Sequence, residues 1–134
     1  MSEIATPAQA KLLYYLSYLG LLTGGTGVLN GKFGLGTGVC IGSYLARNYW
    51  RDPQYDWRRI VDMAWLQVLI WSHLWYVSRS QVLVPYLKIQ SLGILFYAVS
   101  WYHLKKGNMW HATLYHGAVH LCANGSLLLY YSAG

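Results

Sequence analysis

The sequence predicts an all-α fold, a polytopic membrane helix bundle of about five transmembrane helices. Three observations predict it. The 134 residues are 55% hydrophobic and only 10% charged, where a soluble domain carries about 25% charged residues. Aromatic residues make up 16%, with 7 Trp and 13 Tyr, which suits rings placed at a membrane interface. Five apolar runs follow one another with no linker and no internal repeat, so residues 1–134 read as a single integral membrane domain. The net charge of +6 reads as basic loops facing anionic lipid, with no nucleic-acid partner. Cys40 and Cys122 both sit in apolar runs and read as small interior residues without a disulfide. The first residues lack a basic segment ahead of an apolar core, so no signal peptide is expected.

The spans are expected, in order, at residues 11–29, 32–46, 60–77, 82–102 and 109–131. A span needs about 20 residues, with a range of roughly 17–25. The second is below that range and glycine-rich, which suits a tilted, kinked or partly re-entrant segment. Four spans, with 11–46 as one hairpin-like unit, is the alternative. Pro85 falls in the first turn of the fourth span, where proline is tolerated.

Nine of the 14 glycines lie between Gly20 and Gly42. Gly34, Gly38 and Gly42 form a GxxxGxxxG face, and Gly20 and Gly24 form another GxxxG. Such faces let a second backbone approach closely. The expected neighbour is the first span. A homo-oligomer, or a larger membrane complex, joined through Gly34, Gly38 and Gly42 is the other reading.

Lysine and arginine set the expected orientation. With five spans, one side holds Lys11, Arg47, Arg51, Arg58, Arg59, Lys105 and Lys106, and the other holds Lys32 and Arg79. Lys88, inside the fourth span, is expected to snorkel toward that second side. The bias places the N-terminus on the cytoplasmic side and the C-terminus on the opposite side.

Ionisable groups inside apolar spans are costly and mark function by default. His116, His120 and Asn124 are spaced i, i+4, i+8, so a helix puts them on one face. The two histidines also have metal-ligand spacing. Counting 1.5 Å per residue from the cytoplasmic side, His116 lies about 10 Å deep and His120 about 16 Å. Ser43, Asp62 and His111 fall in the same half of the bilayer. Asp62 is the only acidic residue within an expected span. It is read either as an ion-pair partner of Arg58 or Arg59 or as a group acting on a metal-bound water or a histidine. His116 and His120 are read either as neutral imidazoles bonded between helices or as metal ligands. His111 is interfacial or a third ligand.

The order of these motifs carries a resemblance. Ser43-Tyr44-Leu45-Ala46-Arg47 ends one span, Arg59-Ile60-Val61-Asp62 opens the next, and His116-Gly117-Ala118-Val119-His120 lies in the last. This resembles the superfamily of membrane hydrolases and receptors that includes alkaline ceramidases, adiponectin-type receptors and hemolysin-III-like proteins. The family pattern is Ser-x-x-x-His, then Asp, then His-x-x-x-His, on seven spans. The resemblance covers about 85 residues discontinuously, and position 47 is Arg where the pattern has His. It implies a zinc ion held by His116 and His120, with His111 or Asp62 as third ligand, and Ser43 and Asp62 assisting at the bound water. The implied activity is hydrolysis of a lipid amide or ester by metal-activated water. The cofactor is therefore zinc or none. Two further functions stay open from the residues: a non-catalytic small membrane subunit of a respiratory or photosynthetic complex, and a channel or transporter with Asp62, His116 and His120 as a proton or ion relay.

Overall fold

The computed structural model describes residues 5–133. Its elements are helices throughout, with no strand among the described residues. They are α1 (Pro7–Leu16), α2 (Leu19–Leu29), α3 (Phe33–Trp50), α4 (Trp57–Val77), α5 (Leu83–Lys105) and α6 (Met109–Ser132). Three stretches are both long and apolar enough to cross a membrane: Pro7–Leu29, Trp57–Val77 and Leu83–Lys105. An integral membrane location is compatible with them. Helix α3, at 18 residues, and α6, at 24 residues, are also long, about 27 and 36 Å, but are less apolar, α3 through its glycines and α6 through its histidines and other polar groups.

Local chemistry explains the boundaries. Thr6 caps α1 through a capping box, with the Gln9 backbone N–H donating to the Thr6 hydroxyl at 3.4 Å and the Thr6 N–H donating to Gln9 Oε1 at 2.9 Å. Pro7 follows at the first helical position. The expected first span is interrupted at Ser17–Tyr18. There the bonds tighten to three-residue spacing, Gly20 N–H to the Ser17 carbonyl at 3.2 Å and Leu21 N–H to the Tyr18 carbonyl at 3.0 Å. The Ser17 carbonyl also accepts the Ser43 hydroxyl of α3 at 2.5 Å, and the Ser17 hydroxyl donates back to the Leu13 carbonyl at 2.8 Å. A side chain inserted into the helical ladder is a recognised cause of a break.

Two turns are built alike. After α2, Gly31 has φ of 84°, the Lys32 N–H reaches the Gly27 carbonyl at 2.8 Å and the Gly31 N–H reaches Val28 at 3.1 Å. After α5, Gly107 has φ of 80°, and the Asn108 and Gly107 N–H groups bond to the His103 and Leu104 carbonyls at 2.9 and 3.2 Å. Both are Schellman caps, which use a glycine in the left-handed region. They fold α2–α3 and α5–α6 back as tight hairpins. Helix α4 lies on α3, and α6 lies on α1 and α2, so that α6 joins the two hairpins.

Helix α3 is longer than the expected second span. It continues past Arg47 to Trp50 because Tyr49 and Trp50 are buried against Ala5, Ala10 and Leu13 at the start of the chain. Arg47 is half-buried, its guanidinium 4.4 Å over the Tyr18 ring.

The glycine face is not used as expected. Gly38 and Gly42 face α4, where a Cβ at either would meet Leu69 at 3.0 and 2.9 Å, and a Cβ at Gly34 would meet nothing within 4 Å. The close approach to the first span is made by Gly36 instead. A Cβ there would sit 2.5 Å from the Gly24 carbonyl oxygen, and one at Gly24 would sit 2.6 Å from that of Gly36. The reason is azimuthal: Gly36 lies two residues from both Gly34 and Gly38, about 200° around the helix.

The outer faces are apolar. Ile60, Trp71 and Ile94 are 68%, 65% and 70% exposed. The buried residues concentrate in two aromatic clusters. One joins Tyr49 and Trp50 to α1, and the other joins Val77, Tyr86, Tyr130 and Tyr131 at the opposite end of the bundle.

Candidate functional site

The helical spacing of His116, His120 and Asn124 puts all three on one face of α6, from which His116 and Asn124 meet neighbouring helices. The two imidazoles are adjacent, with ring centroids 5.3 Å apart and planes inclined at 50°. His116 also meets Trp50 of α3 edge-on at 5.3 Å and lies 6.3 Å from Tyr97 of α5. Asn124 accepts the Thr23 hydroxyl of α2 at 2.6 Å and donates to the His120 carbonyl at 2.7 Å. This seam therefore touches α2, α3 and α5.

The other candidates are distributed. Ser43 is buried and donates its hydroxyl to the Ser17 carbonyl, so its role is to join α3 to the break between α1 and α2. His111 is exposed and stacks on His103 of α5 at 5.1 Å, and His103 in turn stacks on Tyr115 at 5.4 Å. Five residues separate His111 from His116, about 140° around the helix, which turns the two apart.

Asp62 is half-buried on α4. Neither expected arginine pairs with it, because the one salt bridge among the described residues joins Arg58 to Asp56 at 3.1 Å. Arg58 also donates to the Asn48 carbonyl at 3.1 Å and to the Asp52 carbonyl. Arg59 lies 5.2 Å over the Tyr55 ring. Tyr49 packs on Trp50 at 5.0 Å, and Trp50 in turn meets His116.

A catalytic zinc takes three protein ligands. Among the described residues, no three His, Cys, Asp or Glu side chains are grouped closely enough to hold a metal ion. His116 and His120 offer two donors, and the third is not placed beside them by either His111 or Asp62. His116 and His120 alone are thus an incomplete donor set for a zinc-activated water.

The shortest polar contact between side chains of α4 and α6 involves residues to which the sequence assigned no role. His73 and Tyr131 are 1% and 0% exposed. His73 Nδ1 lies 2.8 Å from the Leu69 carbonyl, which can only accept, so that nitrogen carries the proton. Nε2 then accepts the Tyr131 hydroxyl at 2.6 Å. Asn30 Nδ2 donates to the Tyr131 carbonyl at 2.8 Å, and Gln90 Nε2 donates to the Ser126 hydroxyl at 2.7 Å. Depth counting carried the signal for the first pair, since His73 lies near the end of α4 and Tyr131 near the end of α6 on the same side. No protein-family model matches the chain, and no curated protein or solved structure is significantly similar to it.

Proposed function

We propose that this chain is an integral membrane protein that works as a non-catalytic helical subunit of a larger membrane assembly, of the kind found in respiratory or photosynthetic complexes. The observation that carries this reading is how the interior polar groups are used. Thr23, Ser43, His73, Ser100, Asn124 and Ser126 each bond to another helix or to a backbone carbonyl. Among the described residues no buried side-chain nitrogen or oxygen is left without a partner. Polar groups held this way join helices where lipid supplies no hydrogen bonds. The exposed apolar faces of α4 and α5 suit contact with lipid or partner helices. The topology is five spans, counting α1 and α2 as one, with the end rich in lysine and arginine and the N-terminus in the cytoplasm.

A second reading is supported by the adjacent rings of His116 and His120: a reduced zinc-dependent lipid hydrolase related to the ceramidase and adiponectin-receptor superfamily. One preparation separates the two. Membranes are washed with alkaline carbonate, and the protein is extracted in mild detergent, sized on a native gel and analysed for metals by mass spectrometry. Retention in washed membranes, migration within a particle much larger than the chain, and far less than one zinc per chain are expected. One zinc per chain, lost in His116→Ala, overturns the non-catalytic reading.

A further inference from the structure

A cavity of about 510 Å³ opens between the start of α1 and the loop joining α3 to α4, within the size range of small-molecule sites. Lys11, Tyr14, Trp50, Arg51, Asp52 and Gln54 are among its lining residues. It lies at the bundle end that gathers the basic residues of α3, α4 and their loop.

The chemistry of the lining selects an anion. Lys11 and Arg51 are both exposed, and neither takes part in a salt bridge among the described residues. The one lining carboxylate, Asp52, is engaged by Gln54, whose Nε2 donates to both oxygens at 3.3 Å. The walls are amphipathic. Trp50 is buried, and the Tyr14 hydroxyl meets that of Tyr18 at 3.2 Å. Cations and aromatic rings at a span end match the headgroup level of a bilayer, where the ligand has a phosphate above and acyl chains below. The adjoining apolar surface of α1 offers a path for such chains, since Tyr15 is 57% exposed.

We propose that this cavity binds the phosphate of an anionic lipid headgroup between Lys11 and Arg51. The inference rests on the membrane reading above and deepens it by naming the lipid class. The phosphate chemistry is shared with free inorganic phosphate, and the proposal commits to the lipid.

The full chain, purified in mild detergent, is titrated with phosphatidic acid or with phosphatidylcholine, and retained lipid is read by native mass spectrometry. One phosphatidic acid is expected to bind in preference to phosphatidylcholine. Each cation near a headgroup contributes about a five-fold preference, so Lys11→Gln/Arg51→Gln is expected to lower the affinity by about twenty-five-fold. The charge-matched pair Lys105→Gln/Lys106→Gln is expected to leave it within two-fold. Lys11→Arg/Arg51→Lys is expected to restore binding, which separates lost charge from lost fold. Equal losses from the two Gln pairs, or no preference for phosphatidic acid, overturn the site. Displacement of the lipid by millimolar inorganic phosphate overturns the lipid assignment. Carbonate extraction of the same membranes tests the membrane reading separately: protein retained there that still ignores phosphatidic acid condemns the site alone.

Discussion

The two hairpins turn on the same device and are held by different ones. Both α2–α3 and α5–α6 reverse at a left-handed glycine, Gly31 and Gly107. Beyond the turn, α2 and α3 approach backbone to backbone at Gly24 and Gly36. By contrast, α5 and α6 are joined by side chains: Gln90 to Ser126 at 2.7 Å, the Ser100 hydroxyl to the Ala112 carbonyl at 2.7 Å, and the Phe96 and Tyr115 rings at 6.0 Å. The first arrangement gains dispersion contacts from nearness and has no room for added atoms. The second distributes its stability over several replaceable side-chain bonds, with one close glycine, Gly93, against Cys122. The histidine seam belongs to the second hairpin, where side chains rather than backbones set the distances.

The largest expected effect breaks the first hairpin. Gly36→Leu drives a side chain into the α2 backbone, and overpacking of this kind costs typically 1–3 kcal/mol and occasionally more. We expect about 3 kcal/mol or greater, measured as loss of monodisperse folded protein and a lower Tm in detergent. Gly34→Leu, where a Cβ meets nothing, is the matched control and should change stability by less than about 0.5 kcal/mol. Equal Tm values for the two variants would show that α2 and α3 are not in backbone contact.

The second hairpin should yield more gently. Gln90→Leu removes one inter-helix bond, but Ser126 keeps its own bond to the Ala123 carbonyl at 2.9 Å. Bonds of this kind inside membranes average about 0.6 kcal/mol, and a loss of that size is expected in a denaturant titration. A loss as large as that from Gly36→Leu would erase the distinction between the hairpins.

The smallest effect lies outside both, at the start of α4. Asp56 accepts the Arg58 N–H at 3.1 Å as the helix cap, and the Arg58 side chain holds its carboxyl below the ordinary carboxylate value. A depressed folded value means that the stabilisation is complete above the unfolded value of about 3.9 and is lost as pH falls through the folded one. Protection of the α4 start, read by hydrogen exchange, should be level from pH 7 to about 5 and decline in stronger acid. Asp56→Asn should flatten that decline. An unchanged acid profile would remove the pair from the account.

Much of this was legible in the residues, and the rest depended on azimuth. The apolar runs located the helical rods, and the i, i+4, i+8 spacing turned His116, His120 and Asn124 to one face. The glycines announced close approach, but not that Gly36 would meet α2 while Gly38 and Gly42 met α4. Depth counting placed Asp62 and His116 at similar heights. Height says nothing about direction around a helix, and among the described residues no three metal-ligating side chains gather. The end of α3 was hidden because Arg47 and Asn48 resemble a terminus until α1 is present to bury Tyr49 and Trp50. The break at Ser17 was hidden for a related reason, since the Ser17 hydroxyl's bond back to Leu13 is joined by a bond from a hydroxyl 26 residues away.

The wiring of α6 also sets an order in time. Each hairpin can close on contacts within its own short stretch of chain, soon after that stretch is made. The bonds Thr23–Asn124 and Asn30–Tyr131 each span 101 positions, and His73–Tyr131 spans 58. None can form before α6 has been synthesised, and loop closure over such separations is slow. Until then Thr23, Asn30 and His73 face lipid or water without these partners. Helix α6, made after the five it ties together, thus acts as the bolt of the bundle, and the interval before its arrival is when these helices are most open to chaperones, proteases and wrong neighbours.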